Sequence, residues 1–225
     1  MDTQEPTVIF LAGASRGVGR EVAQCLSKEQ KPVVALLRSP DTQAELEAMG
    51  IQVAIGDALD PASLASAMQG KAFAAVISTI GGLPQQGERP DYLGNKNLID
   101  AAVNAGVKKF ILVSSIGTGN SKGALSPQAL ATLEKVLIEK EKAEEYLINS
   151  GLTYTIIRPG GLKSEPATGN AVLTENPQVC GMIHRADVAQ LVCACLNSET
   201  ANNKVLSAID QNMQFVPQEF EVFNV

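Results

Sequence analysis

Short apolar runs alternate along the chain with longer segments in which apolar residues recur every three or four positions. Strand-length runs fall at 7–13 (TVIFLAG), 32–37 (PVVALL), 51–57, 72–80, 108–116, 152–161 and 203–209. Between them the helical period predicts helices from Gly17, over 42–50, from Asp60, and over 92–106, 128–149 and 185–197. Asp60 followed by Pro61 reads as an N-cap with proline at the first helical position. The central runs are apolar at every position rather than every second one, as in strands covered by helices on both faces. Alternating β and α with short links predicts a single α/β domain over residues 1–225, a doubly wound parallel sheet with helices on both faces. The ligand crevice of such a fold lies at the C-terminal ends of the strands. The stretch 163–183, rich in Gly, Pro, Ser and Thr, reads as a loop.

The formal net charge of −6 argues against nucleic acid as the main partner, because phosphate backbones are held by lysine and arginine. No apolar run approaches the roughly 18 residues of a membrane helix, and MDTQEP lacks a signal-peptide core. The expectation is a cytoplasmic protein without membrane insertion. Cys25, Cys180, Cys193 and Cys195 form no CxxC pair. They read as reduced, apolar fillers, with no metal site expected.

The stretch FLAGASRGVGREVAQCL, residues 10–26, carries the clearest chemistry. Gly13, Gly17 and Gly19 follow the first strand and open a helix. Glycines at such a turn permit its tightness, let the backbone approach a pyrophosphate and let the helix pack on the sheet, while the helix N-terminus attracts the anion. Ser15, Arg16 and Val18 complete the loop. The second strand ends in Arg38 and Ser39 with no carboxylate. An acidic residue there would bind the ribose 2′-OH of NAD, whereas arginine accommodates the 2′-phosphate of NADP. Arg38 and Arg16, with the hydroxyl of Ser39, therefore predict NADP(H). Asp57, next to Ala58 after the third strand, fits either an adenine contact or a plain turn.

LAGASRGVGRE is similar to the opening motif of short-chain dehydrogenases/reductases. YLGNKNLIDAAVNAGVKKFILVSSIG, KEKAEEYLINSGLTYTIIRPGGL and HRADVA resemble the atypical, NmrA-like branch. That branch includes plant and cyanobacterial NAD(P)-binding proteins and is similar to the biliverdin-IXβ/flavin reductases. The resemblance covers nearly the whole chain and implies a Rossmann domain. It implies a serine after the fifth strand, matched by Ser115 with Ser114 beside it, and a Y-x-x-x-K pair on the next helix. On a helical wheel Leu133, Val136, Leu137, Ala143, Leu147 and Ile148 make one apolar face with Lys140 near its middle, whereas Lys142 points away. The spacing from Lys140 to Gly151 also matches the isoflavone-reductase branch. An unpaired ammonium on such a face is costly, and a cofactor ribose hydroxyl is its expected partner. The resemblance further places Thr79, Ile80 and Gly81, and Pro159, Gly160, Gly161 and Leu162, around the cofactor.

The sequence departs from the family at the tyrosine. Val136 stands four residues before Lys140 and Ile138 four before Lys142, and neither can give a proton. Tyr146 and Tyr154 do not fit the motif. His184 and Asp187 read as structural, His184 offering a less favoured acid.

With Ser115 and Lys140 as catalytic residues and no tyrosine, the expected activity is an NADPH-dependent reductase. It would act on a small planar acceptor: a flavin, a biliverdin-type tetrapyrrole or a quinone. The alternative is a non-catalytic NADP(H) sensor or assembly scaffold. Loops 81–91, 117–127 and 163–183 would then meet substrate or a protein partner.

Overall fold

The computed structural model describes residues 7–81 and 89–225. Six strands alternate with five helices in the predicted order: β1 Val8–Ala12, α1 Gly17–Lys28, β2 Val33–Leu37, α2 Gln43–Glu47, β3 Gln52–Ile55, α3 Pro61–Met68, β4 Phe73–Ser78, α4 Leu93–Asn104, β5 Lys109–Val113, α5 Pro127–Ile148 and β6 Thr153–Pro159. The chain continues with β7 Gly161–Lys163, β8 Ala171–Thr174, β9 Met182–His184, α6 Arg185–Asn197 and β10 Lys204–Asp210. Eight strands form one sheet in the order β3-β2-β1-β4-β5-β6-β10-β8, and β7 pairs with β9 apart from it. Neighbours in the large sheet are parallel except β8, which runs antiparallel to β10.

The two-residue period of the strands divides the core. Ile9 and Leu11 of β1 point to the face covered by α1 and α6, where Val22, Leu26, Val188 and Val192 meet them. Phe10 and Ala12 point to the opposite face, with Leu64 of α3, Leu98 of α4 and Leu147 of α5. Both faces of β1 and β2 are thereby buried, which is why these strands read as unbroken apolar runs. Asp60 caps α3, accepting from the Ala62 amide at 3.0 Å, with Pro61 at the first helical position.

Two readings need correction. The stretch 163–183 is not a plain loop: it holds β8 and β9, each too short to show a period and defined by pairing with the distant β10 and β7. Of the apolar face assigned to α5, Leu133 and Ile148 are 38% and 42% exposed, and Leu137, Ala143 and Leu147 carry the packing. The cysteines are all free, and Cys25 packs against the core beside Cys193 of α6.

The segment 117–127 winds into a 3-10 turn over Gly119–Ala124. Positions 82–88 of the expected loop 81–91 lie outside the described residues. Among the described residues no helix is long and apolar enough to cross a membrane.

Candidate cofactor crevice and active site

The strand order reverses between β1 and β4, so a crevice opens at their C-terminal ends. Gly13, which follows β1, has φ +94°, and a side chain there would strike Thr79 after β4. A Cβ on Gly19 would sit on the carbonyl oxygen of Gly13. The glycines are thus fixed by contact between the loop, the first turn of α1 and the end of β4. Thr79 adds two bonds to the Ala12 carbonyl, from its amide at 3.0 Å and its hydroxyl at 3.1 Å. Val18 is buried under the turn while Ser15, Arg16 and Gly17 face outward. Arg16 occupies the N-cap position of α1 and its side chain does not cap the helix. The first amides of α1 are therefore left to an external anion, as a dinucleotide pyrophosphate requires.

A cavity of about 490 Å³ flanks this helix end, lined by Arg16, Gly17, Arg20 and Arg185 with Ser164 and Glu165. Arg185 opens α6, and its Nη1 donates to Ser164 Oγ at 2.7 Å. Arg20 pairs with Glu45. Sequence reasoning missed both arginines, since only the packing of α6 on α1 carries Arg185 to the glycine loop. Arg38 and Ser39 are exposed beyond β2, and the Ser39 hydroxyl donates to Asp41 at 2.8 Å. Asp57 accepts from the Leu59 amide at 3.0 Å, the bond of a turn residue. Buried Ala58 offers its carbonyl to Asn97 at 3.0 Å.

At the other end of the crevice, Lys140 of α5 reaches across to Gly81. A Cβ on Gly81 would lie 3.0 Å from Lys140 Nζ and 2.9 Å from Asp91 Oδ1. Asp91 is fully buried, 3.6 Å from Lys140 and 3.0 Å from Arg89. Burial pulls the Lys140 ammonium below the ordinary lysine value, and the Asp91 carboxylate resists that fall. The protein partner of Lys140 is thus a carboxylate that sequence reasoning did not assign, in place of the expected ribose hydroxyl alone. Asp91 stands just before α4, and nothing in the apolar period distinguishes it from a first-turn residue. Lys142 points outward and pairs with Glu139 at 2.8 Å, as the wheel predicts.

Ser114 and Ser115 follow β5, the neighbour of β4. The Ser114 hydroxyl is buried and meets no hydrogen-bond partner among the described residues, a donor left for a ligand. Ser115 donates to the Ile116 carbonyl at 3.0 Å. Tyr146 donates to Asp100 at 2.6 Å and takes no place beside Lys140. Ile80, beside Gly81, is half-buried.

The end of β6 is built for packing. A Cβ on Gly160 would sit on the Gly181 carbonyl oxygen, and the Gly161 amide donates to that same oxygen at 2.9 Å. Contact with Gly181 and Met182, at the start of β9, gives both glycines a packing role beside the expected approach to a nicotinamide. Pro159 accepts from the Ile116 amide at 2.9 Å, and Leu162 is exposed. His184 is buried with Nδ1 2.7 Å from the Pro166 carbonyl. Asp187 accepts from the Thr168 and Gly169 amides at 2.9 and 3.0 Å. Both are structural, and they pin the segment after β7 to α6.

Comparison with known proteins agrees with this geometry. The sequence model of the NAD(P)H-binding family matches residues 13–199. A chloroplast protein of Arabidopsis thaliana without assigned function is 34% identical over 91% of this chain and 70% of its own. Sanguinarine reductase of Eschscholzia californica is 30% identical over 90% of this chain and 89% of its own. The solved structure of ChuY, described as an anaerobilin reductase of Escherichia coli O157:H7, superposes with a TM-score of 0.83 at 39% identity, covering 91% of this chain and 97% of that one. The chain belongs to the NAD(P)H-binding family, with a Rossmann-like α/β fold and reductases among its relatives.

Proposed function

We propose that this NAD(P)H-dependent oxidoreductase passes hydride from NADPH to a conjugated planar acceptor of the flavin, linear-tetrapyrrole or quinone class. The observation that carries the reading is the pairing of Lys140 with Asp91 at Gly81, in a site where Val136 holds the place of a tyrosine acid. NADPH, when bound, supplies the hydride. A conjugated acceptor spreads the charge it gains, so no hydroxyl has to protonate one developing alkoxide. Lys140 offsets that charge at the crevice edge, Ser114 offers its free hydroxyl, and solvent delivers the proton. The relatives named as reductases of sanguinarine and anaerobilin support this class of reaction.

Arg16 in the loop and exposed Arg38 beyond β2 support NADPH over NADH, and the Asp41 carboxylate that follows accepts from Ser39. Loss of a charge-assisted phosphate contact costs about 1.5–3 kcal/mol. Arg38→Ala is therefore expected to weaken NADPH about 10- to 100-fold while leaving NADH within about twofold. Fluorescence titration of both cofactors checks it, and equal losses for the two would place Arg38 away from the 2′-phosphate.

The decisive assay follows oxidation of NADPH against FMN, biliverdin and quinones. Turnover with any of them, reduced in Lys140→Met, is the expected result. Tight NADPH binding with no turnover would overturn it in favour of a redox sensor or scaffold. That second reading rests on loops 117–127 and 163–183 meeting at the surface, where Gln178 Nε2 donates to the Asn120 carbonyl at 3.3 Å. Four free cysteines suit a reducing compartment such as the cytosol.

A further inference from the structure

Away from the crevice, the seam between α1 and α6 gathers three groups that the cofactor chemistry does not use. Cys25 and Glu29 stand one turn apart at the C-terminal end of α1, and so share a face of the helix. Cys193 of α6 packs opposite them. One ligand atom from each lies within 4.8 Å of the other two, and Cys25 Sγ donates to Glu29 Oε1 at 3.7 Å. Around a tetrahedral zinc ion, with Zn–S about 2.3 Å and Zn–O about 2.0–2.2 Å, neighbouring ligand atoms stand about 3.5–3.8 Å apart. The Cys25–Glu29 edge already has that length, and small rotamer shifts close the rest.

We propose that Cys25, Glu29 and Cys193 form a binding site for a thiophilic divalent cation of the zinc class, which clamps α1 to α6. The site is graded from inside to outside: Cys193 is buried, Cys25 half-buried and Glu29 exposed. That gradient provides an entry path and leaves the fourth position to water. Two thiolates with one carboxylate select zinc or cadmium over magnesium or calcium, which prefer all-oxygen shells. The C-terminal end of a helix also favours a positive charge.

Binding exchanges two thiol protons for one cation. Affinity therefore rises with pH, because metal and protons compete for the same sulfurs.

The test is a titration of the full reduced chain with Co²⁺, read as thiolate-to-cobalt charge-transfer absorption, followed by displacement with Zn²⁺. One equivalent of Co²⁺ should bind, Mg²⁺ should not compete, and Zn²⁺ should raise the thermal midpoint. Glu29→Gln is expected to weaken the ion about tenfold and Cys193→Ser about 100-fold. Because Cys193 is buried, Cys25→Ser serves as the second variant and should likewise remove the charge-transfer band and the thermal shift. Absence of the band in the wild type, or a band unchanged in both serine variants, would overturn the proposal. Recovery of Cys25 and Cys193 as a disulfide in protein that takes up no cation would overturn it too.

Discussion

Glu144→Ala is expected to cost about 3–5 kcal/mol of folding stability, the range for removing one partner of a buried ion pair. Glu144 and Arg158 are only 4% and 7% exposed at their side chains. They meet through two bonds, Arg158 Nε to Oε1 at 3.1 Å and Nη2 to Oε2 at 2.6 Å. In the variant the guanidinium would keep Asn120 Oδ1, at 2.5 Å, and no carboxylate from Glu144. Arg158 cannot shed its charge, so the whole desolvation penalty of a buried cation falls on the fold. The damage should spread to the 3-10 turn after β5, because Arg158 Nη2 would lie 2.8 Å from a Cβ on Gly119. Replacing both partners, as in Glu144→Leu with Arg158→Met, should recover much of the loss, since the two charges then vanish together. Urea unfolding of the single and double variants checks both statements. A double variant no better than Glu144→Ala would mean that the pair holds the turn by geometry rather than by balanced charge.

Asp91→Asn is expected to lower stability by about 3 kcal/mol at neutral pH, at the lower end of the same range. The reason for the smaller figure is that Lys140 can lose its proton. In the native protein burial lowers its value, Asp91 and then Glu144 raise it, and Arg89 adds to the fall. Unfolded, the lysine returns to its ordinary value of 10.5. Between the folded and unfolded values the folded chain binds fewer protons, so stability rises with pH there. Removing the Asp91 carboxylate lowers the folded value further and starts that rise at lower pH. The deficit of the variant therefore shrinks as pH increases, leaving only the part due to the lost Arg89 contact, which does not titrate. Unfolding curves at neutral and alkaline pH measure it. A deficit of equal size at both would show that Asp91 does not govern the charge of Lys140.

Much of the scaffold was legible because its signals are local. The unbroken apolar runs of β1 and β2, the Asp60–Pro61 helix start and the glycine loop each occupy a few adjacent residues. The direction in which Lys140 and Lys142 point followed from helical period alone, and both lysines lie as predicted. What escaped depends on contacts between residues far apart in sequence. Asp91 becomes a partner of Lys140 only when α5 packs beside α4, and Arg185 reaches Gly17 only when α6 packs on α1. Gly160 and Gly161 stand at a strand end and carry a packing role that no local signal reveals. Their actual neighbour, Gly181, belongs to a segment whose strands are too short to announce themselves. Leu133 and Ile148 carry the helical period of α5 past the point where any neighbour covers them, so periodicity overstated the buried face.

The position of β10 in the sheet also bears on how the molecule is made. It pairs with β6 on one side and β8 on the other, yet it follows both in the chain, with α6 in between. During synthesis β6 can dock on β5 as soon as it emerges, but its far edge, carrying Ile156 and Ile157, stays open until residues 204–210 arrive. Such an edge is a template for pairing with another chain. Long-range pairings of this kind are slow to close, and the intermediates that wait for them are prone to associate. The earlier strands can shape the nucleotide cradle first, while protection of the β6 edge arrives only with β10.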